Sequence, residues 1–386
     1  MKKTNHMILK EKNLCTGCSA CMQICPNDSI HMSEDEEGFL YPIKNTETCI
    51  NCGACEKVCP VLNISPHTEE YMSCKIACAK DYDLLEKSSS GGIFGLLAIS
   101  VIENGGVVFG VAFDEEFQAH HIVIENREEL HLIQKSKYLQ SNKENSFRLV
   151  RKYLEEGKQV LYVGTACEIA GLKAYLRRDY DNLFTVDVLC HGVPSPRVWK
   201  RYLQKVCQGN KSGLADTDFR CKSDGWRRYS LAFTFENGEK LNIYHKNDDY
   251  MKLFLNNICL RPSCYDCKFK ELERDSDLSL GDAWGIEKIF PDFDAEKGAS
   301  VVIVHSEKGE KMIKQIQEQL ITEMCAVDEI LKPSDDARKS VYMHPNRKKF
   351  FRLLKKRKPW EKLMGALKLT VPDRINLKIR TICGRK

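Results

Sequence analysis

Two copies of one cysteine run lie close together near the start of the chain. The eight cysteines are Cys15, Cys18, Cys21 and Cys25, followed by Cys49, Cys52, Cys55 and Cys59. Each run reads C-x2-C-x2-C-x3-C-P, the spacing with which bacterial proteins hold a pair of 4Fe-4S clusters. A chain with this feature folds around metal centres, and we expect it to move electrons.

In such a pair, three cysteines of one run share a cluster with the last cysteine of the other run. The predicted metal ligands are therefore Cys15, Cys18, Cys21 and Cys59 for one cluster, and Cys49, Cys52, Cys55 and Cys25 for the other. Zinc or disulfide bonds are the alternatives, but zinc needs four sulfurs at each separate site rather than two interlocked sets. The runs predict a ferredoxin-like module with two 4Fe-4S clusters over residues 1–70.

The length of 386 residues leaves room for further domains after this module. Hydrophobic content of 42% and charged content of 29% are typical of a soluble globular protein. No apolar run follows the N-terminal lysines, and the longest apolar stretch, Gly91 to Ile102, is too short to span a bilayer. Nineteen cysteines in such a chain indicate metal ligation in a reducing compartment. We therefore expect a cytoplasmic protein.

Positive charge is concentrated at the C-terminal end. Residues 338–386 contain 17 Lys and Arg against Glu361 and Asp373, a net charge of +15 within an overall +5. Apolar residues recur among these cations at helical spacing, which predicts a basic helical tail over residues 331–386. Such a tail could bind an anionic membrane surface or an acidic partner, or could simply pack its apolar face on the rest of the protein. No nucleic-acid-reading motif accompanies the charge, so we expect no nucleic acid partner.

Strand-like and helix-like segments alternate between the cysteine runs and the tail. Predicted strands cover 107–113, 121–125, 160–163, 184–189, 229–235, 240–244, 276–280 and 299–305, and predicted helices cover 93–103, 146–156, 168–177, 196–206, 249–260 and 308–320. The pattern predicts a mixed α/β body over residues 71–330.

Four later cysteines lie where predicted elements end, and they are Cys167, Cys190, Cys264 and Cys267. Loops beyond the strand ends of an α/β sheet converge on one crevice, so Cys167 and Cys190 are expected to face the same space. Four thiolates would hold a third 4Fe-4S cluster there. A structural zinc ion and buried, inert thiols remain the alternatives.

The strongest phosphate-binding signal is a serine-glycine segment, Ser88 to Gly92, that leads directly into the helix predicted at Ile93. Hydroxyls and accessible amides at a helix N-terminus suit a pyrophosphate, although an ordinary helix cap has the same composition. No G-x-G-x-x-G follows a strand, so a standard dinucleotide-binding fold is not supported.

Seven ordered motifs between about Cys15 and His305 resemble the beta-subunit family of coenzyme F-420 (deazaflavin) hydrogenases and dehydrogenases. The motifs are Ser88 to Gly92, Lys137 to Ser141, Gly164 to Glu168, Asp187 to Ser195, Phe219 to Trp226, Arg261 to Cys267 and Gly281 to Gly285. The resemblance implies bound FAD, 4Fe-4S clusters and transfer of the two electrons of a hydride between a flavin-like or other redox substrate and the clusters.

The resemblance also implies roles for individual residues. The implied FAD contacts are Ser89, Ser90, Gly91, Gly92, Lys137, Tyr138, Gln140, Ser141, Gly164 and Thr165, and the flavin-pocket candidates are His191, Asp282 and Trp284. His191 could equally be an ordinary loop residue and Asp282 a turn residue. The chain departs from the family pattern at Cys167, which lies between Ala166 and Glu168 where the family has Pro and Gln. A carboxylate there would lower the potential of a nearby flavin or cluster if it were ionised and close.

The sequence thus predicts an iron–sulfur flavoprotein oxidoreductase. Its partner would be a two-electron redox substrate or soluble electron carrier, such as deazaflavin, NAD(P)H or ferredoxin. Relatives of this kind also occur near bacterial polysaccharide-synthesis genes, so the substrate stays open. The alternative is an electron-transfer adaptor for a partner enzyme, without substrate chemistry of its own.

Overall fold

The computed structural model describes residues 8–9, 11–64, 73–210, 212–331 and 338–370. The strands are β1 Ile30–Glu34, β2 Leu40–Lys44, β3 Ser73–Ala79, β4 Val107–Phe113, β5 Ala119–Ile124, β6 Val160–Thr165, β7 Leu183–Val188, β8 Leu214–Cys221, β9 Ser230–Phe235, β10 Lys240–Tyr244, β11 Leu278–Asp282, β12 Ser300–Val304 and β13 Leu320–Met324. The α-helices are α1 Ala20–Gln23, α2 Ala54–Lys57, α3 Tyr82–Glu86, α4 Ile93–Glu103, α5 Leu130–Ile133, α6 Ser146–Glu155, α7 Ala166–Leu176, α8 Pro196–Cys207, α9 Asp249–Leu255, α10 Glu307–Ile316, α11 Val327–Ile330, α12 Arg347–Lys355 and α13 Trp360–Met364.

An eight-stranded mixed sheet forms the centre of the body, in the order β13-β3-β12-β11-β7-β6-β4-β5. The four middle strands β11, β7, β6 and β4 pair in parallel, and the strands outside them pair antiparallel. All five residues of β12 are buried, as expected for a run of branched apolar residues inside a covered sheet. Because β6, β7 and β11 are parallel, the segments after them meet at one edge.

Two smaller sheets flank the central one. Strands β10, β9 and β8 form an antiparallel sheet, with a hairpin between β9 and β10 as predicted. Strands β1 and β2 pair antiparallel between the two cysteine runs. This N-terminal module packs directly on the body, because Phe39 and Tyr41 belong to the same buried cluster as Trp199 and Tyr202. The predicted boundary at residue 70 lies outside the described residues.

The start of α8 joins the module to the body. Ser195 caps this helix, accepting a hydrogen bond from the Val198 amide, and Pro196 occupies the first turn, where its missing N–H costs nothing. The same Ser195 hydroxyl donates to the Glu37 carbonyl of the module. A local capping signal in the sequence therefore also serves as a contact between domains.

The mixed α/β body agrees with the sequence prediction, but several elements differ. Strands β3, β8 and β13 were absent from the prediction, and the helix predicted over 249–260 ends at Leu255. The helix predicted over 308–320 ends at Ile316, and Leu320 begins β13 instead. Strand β3 contains Ser73, Lys75 and alternating small residues, so its sequence lacks the branched apolar run of a buried strand.

The described part of the basic segment packs on the body. Phe350, Phe351, Leu354 and Trp360 of α12 and α13 lie in the same hydrophobic cluster as Trp199. Arg347 makes a bidentate ion pair with Glu37 of the N-terminal module. The structure thus favours the packing alternative for residues 338–370, and residues 371–386 lie outside the described part. Among the described helices, none combines the length and apolar character needed to cross a bilayer.

Candidate functional site

The first predicted ligand set is brought together by the fold. Cys15, Cys18, Cys21 and Cys59 all line one small cavity, so the last cysteine of the second run lies beside the first three of the first run. Burial raises the pKa of the Cys18 thiol to about 12, with smaller contributions from the neighbouring Cys15 and Cys59. The Cys18 thiol would be protonated without metal, and a cluster would hold it as a thiolate.

The second predicted set is closer to the surface. Cys52 is exposed, and Cys25, Cys49 and Cys55 are half-buried. Backbone N–H groups already point at two of the sulfurs, since Ser29 donates to Cys25 at 3.3 Å and Asn51 donates to Cys49 at 3.4 Å. Such N–H···S contacts suit iron-bound thiolates. The assignment of these four residues to one cluster stays a prediction.

The four body cysteines converge at the edge of the central sheet. Cys167 begins α7 directly after β6, Cys190 follows β7, and Cys264 and Cys267 belong to a loop on the other side. Burial raises the pKa of Cys167 well above its usual range, and the charges of Glu168, Cys267 and Cys190 add to this effect. Cys190 is close enough to Cys167, Cys264 and Cys267 for their charges to interact, and a cluster shared by the four stays a prediction.

A buried lysine that the sequence analysis missed lies against this group. Lys270 follows Cys267 by three residues, and its Nζ donates to the His191 carbonyl at 3.0 Å. Its charge lowers the pKa of Cys190, Cys264 and Cys267 against the larger opposing effect of burial. A cation in this position compensates the negative charge of a thiolate-bound cluster. The sequence could have indicated this lysine, because it lies three residues after the C-x2-C pair.

A cavity of about 430 Å³ opens next to Cys190. Eight of the ten implied FAD contacts line it, namely Ser89, Ser90, Gly92, Lys137, Tyr138, Ser141, Gly164 and Thr165. The pocket candidates His191, Asp282 and Trp284 line it as well. Residues from five separate segments of the chain therefore meet around one space.

The serine-glycine segment meets this cavity at the N-terminus of α4. Gly92 precedes the helix in a left-handed conformation, with a φ of 79°, and no side chain caps the first N–H groups. Ile93 and Phe94 of the first turn line the cavity. Uncapped N–H groups at this end of an eleven-residue helix suit an anion.

Two implied FAD contacts lie outside the cavity lining. Gly91 packs behind it, and a side chain there would approach the Ala77 carbonyl oxygen to 2.4 Å. Gln140 points toward the N-terminal module, where its Oε1 accepts from the Leu40 amide and from Arg261, both at 3.1 Å. In the structure Gly91 packs against the central sheet and Gln140 contacts the N-terminal module, and a flavin contact by either residue stays a prediction.

Asp282 is held by two donors on the cavity wall. Arg220 donates to both of its carboxylate oxygens, and the Trp226 indole N–H donates at 3.3 Å. Trp226 stacks on Trp284 with ring centroids 4.5 Å apart, and the Arg220 guanidinium lies over the Tyr229 ring at 4.2 Å. Asp282 thus fixes a buried arginine and an aromatic wall.

His191 is likewise oriented by its surroundings. Its Nε2 lies 2.6 Å from the Asn257 Oδ1, and its ring meets Phe254 edge-on at 4.9 Å. Lys137, also on the cavity wall, donates to the carbonyls of Leu132 and Gln134. Burial lowers the pKa of Lys137 to about 7, so this amine changes charge near neutral pH.

The carboxylate of Glu168, which departs from the family pattern, is ionised but compensated. It pairs with the buried Lys143 amine and accepts from the Thr165 amide at 2.8 Å, closing a capping box at the start of α7. Burial acts to raise its pKa, but Lys143 and His121 outweigh burial and bring the pKa to about 2. The expected effect on the redox potential is therefore opposed by a cation that the sequence spacing does not reveal.

The described residues contain no group of three His, Cys, Asp or Glu side chains gathered as for a single metal ion. The first cysteine set instead surrounds a cavity. Four thiols around a common space have the donor chemistry of a 4Fe-4S cluster.

Comparisons with known proteins support the redox assignment of both halves. Residues 14–63 match the 4Fe-4S dicluster domain. Residues 157–330 match the family described as the C terminus of the coenzyme F420 hydrogenase/dehydrogenase beta subunit. No curated protein matches the chain.

One similar solved structure is that of the F420-reducing [NiFe] hydrogenase complex from Methanosarcina barkeri, studied by xenon derivatization. The sequences are 18% identical, the match covers 82% of this chain and 94% of that chain, and the TM-score is 0.46. Residues 157–330 are thus related to the C-terminal part of the beta subunit of coenzyme F420 hydrogenases and dehydrogenases, and together with the dicluster domain they indicate an iron–sulfur electron-transfer protein of the oxidoreductase type.

Proposed function

We propose that this protein is an iron–sulfur flavoenzyme that exchanges a hydride with a small redox substrate through FAD and exchanges single electrons through its 4Fe-4S clusters. The observation that carries this proposal is the cavity of about 430 Å³ that touches Cys190 and is lined by eight implied FAD contacts. FAD would supply the conversion between a two-electron hydride and single electrons.

The chain offers suitable groups for each part of this cofactor. The uncapped N-terminus of α4 and the Ser89 and Ser90 hydroxyls would bind the pyrophosphate. Tyr138 and Trp284 offer aromatic surfaces on the cavity wall. Cys167, Cys190, Cys264 and Cys267 would hold the adjoining cluster, with Lys270 balancing its charge.

Anaerobic iron and flavin analysis tests the cofactor content. We expect about twelve irons per chain from three cubane clusters, and about one flavin. The Cys264→Ser variant should lose about four irons while the N-terminal pair remains. Iron content of about eight in both proteins would remove the third cluster from the proposal.

A charge placed in the cavity tests the flavin site. Ser89 accepts hydrogen bonds from the amide and hydroxyl of Ser136, and it faces the same space as the α4 N-terminus. Ser89→Glu should repel a pyrophosphate and lower bound flavin at least tenfold. Ser223→Glu, at an exposed serine outside the cavity, is the matched control and should retain flavin. Equal flavin in both variants would place the cofactor elsewhere.

Hydride exchange separates this enzyme from an electron-transfer adaptor. Reduced deazaflavin and NAD(P)H are mixed anaerobically with the protein, and bleaching of the flavin absorbance is followed. Bleaching by either donor at a rate that saturates with its concentration supports substrate chemistry. A flavin-loaded protein that neither donor reduces would instead be an adaptor for a partner enzyme.

A further inference from the structure

Helix α7 connects the body cysteines with the first N-terminal set. Cys167 lies in its first turn, and Gly171 lies one turn later on the same face, a rise of about 6 Å. At Gly171 the helix meets Cys18 of the N-terminal module. A β-carbon at Gly171 would lie 2.7 Å from the Cys18 Cβ and 2.9 Å from its Sγ. Only glycine permits this approach.

A second connection runs through Arg261. Its Nε donates to the Cys15 carbonyl at 2.7 Å, and its own carbonyl accepts from the Cys264 amide at 3.0 Å. Arg261 is almost fully buried, and its guanidinium also lies over the Tyr41 ring at 4.2 Å. Two hydrogen bonds thus join a ligand of each set.

Lys143 lies between the same two groups. It pairs with Glu168, the neighbour of Cys167, and its charge also reaches Cys18. The ion pair is buried on both sides. Because the pair is buried, it supplies a fixed polar environment between the body cysteines and the first N-terminal set. Water would screen an exposed charge in the same position.

The second N-terminal set meets the body differently. Arg148 of α6 donates to the Cys25 carbonyl at 3.3 Å and pairs with the exposed Asp28. Helix α6 carries no cysteine. The elements that carry the body cysteines meet the module at Cys15 and Cys18 of the first set, and Arg261 also donates to the Leu40 carbonyl.

We propose that electrons cross between the body and the N-terminal module at the contact of α7 with Cys18, and that Gly171 sets the separation. Cys167, Cys190, Cys264 and Cys267 would hold the cluster on the body side of this contact, and Cys15, Cys18, Cys21 and Cys59 would hold the cluster on the module side; in the direction from substrate to partner, one electron would pass from the first to the second. No bond forms or breaks and no proton moves at this step. The hydride donor supplies the electrons, and a one-electron acceptor takes them up.

This inference rests on the proposed function, because it requires the third cluster. It adds an order to the clusters: the buried first set is the inner relay, and the second set, with exposed Cys52, is the outer one. Electron tunnelling slows steeply with distance, so the close approach at Gly171 has a direct functional consequence. Gly171 is a positioning residue, since it binds no cofactor itself.

The test lengthens this contact in the complete, cluster-loaded protein. Gly171→Leu must push Cys18 away from α7, whereas Gly171→Ala requires a smaller shift. Gly209→Leu, at a glycine with no atom near its β-carbon position, is the matched control. The protein is reduced with dithionite, and the magnetic coupling between clusters is read by electron paramagnetic resonance. Cys264→Ser gives the reference spectrum without the body cluster.

We expect Gly171→Leu to weaken the coupling and to slow electron transfer from photoreduced flavin to the N-terminal clusters at least tenfold, with iron and flavin unchanged. Gly171→Ala should fall between this variant and the wild type, and Gly209→Leu should match the wild type. If Gly171→Leu loses iron, the coupling and the electron-transfer rate are measured in Gly171→Ala instead. A Gly171→Ala protein with the coupling and rate of the wild type would then overturn the inference. If Gly171→Leu keeps about twelve irons and its coupling is unchanged, this inference alone is refuted. If the wild type contains only about eight irons, the inference is refuted together with the proposed function.

Discussion

The two N-terminal cysteine sets have the same spacing in the sequence but lie in different environments. Cys15, Cys18 and Cys59 are each 8% exposed; Cys18 meets α7 of the body, and the Cys15 carbonyl accepts a hydrogen bond from Arg261. Cys52 is exposed, and the apolar residue Ile50, next to Cys49 of the second set, is 61% exposed. Spacing determines that a cluster can be bound, whereas tertiary contacts determine what that cluster exchanges electrons with.

The largest effect is expected from a variant that disrupts the buried contact between the first set and the body. Arg261→Met removes the donor to the Cys15 carbonyl, the Leu40 carbonyl and the Gln140 side chain. The Cys15 and Leu40 carbonyls would lose this donor, while the Gln140 oxygen would keep only the Leu40 amide, and the free energy of unfolding should fall by about 4 kcal/mol. Anaerobic thermal unfolding measures this, and iron analysis should show loss of about four irons from the first set.

Arg197→Met is the matched control for that variant. Arg197 also joins the module to the body, but its side chain is 37% exposed and pairs with Glu34. It should cost less than about 1 kcal/mol and retain iron. Equal losses in the two variants would mean that burial does not distinguish the two contacts.

The next effect concerns the ion pair between the first set and the body cysteines. Glu168→Gln installs the residue that the family pattern has, but it leaves Lys143 buried beside a neutral amide. Breaking one partner of a buried pair should cost about 3 kcal/mol. The double variant Glu168→Gln with Lys143→Met should recover most of that loss in anaerobic thermal unfolding. A single variant as stable as the wild type would show that the pair adds nothing.

A pH effect distinguishes the buried interface from the exposed set. Burial lowers the pKa of His121 to about 4, with smaller opposing effects from Glu168. The unfolded histidine binds a proton near pH 6.5, so the unfolded state gains protons first as the pH falls. His121 should therefore contribute a decrease in stability of about 2 kcal/mol between pH 7 and pH 5.

Unfolding temperatures measured across that range test this expectation. His121→Gln should remove most of the decrease, because glutamine does not titrate. The exposed His131→Gln should leave the slope as in the wild type. A slope that His121→Gln does not change must come from other groups.

The smallest effect is expected on the exposed side. Arg148→Ala removes the ion pair with Asp28 and the contact with the Cys25 carbonyl, but these side chains are 41% and 73% exposed. Water screens such a pair, so we expect a loss below about 1 kcal/mol and unchanged iron content. A loss as large as that of Arg261→Met would show that both sets contribute equally to the domain contact.

Much of the fold followed from local patterns. The helices at Ile93 and Ser146 and the hairpin between β9 and β10 were predicted close to their observed bounds, because apolar periodicity and turn residues determine them. Strands β3 and β13 were missed. They lie next to each other at one edge of the sheet, where pairing rather than composition determines a strand.

The candidate site divides in the same way. The sequence by itself predicted the cysteine ligands, because thiolate spacing is a local requirement of cluster binding, and the resemblance of its motifs to the beta-subunit family predicted the residues around the cavity. Only the tertiary structure decided that Gln140 contacts the module, that Lys143 neutralises Glu168, and that Gly171 meets Cys18. The physical reason is that charge compensation and close approach depend on which distant segments the fold brings within a few ångströms of each other, and spacing along the chain carries no record of that distance.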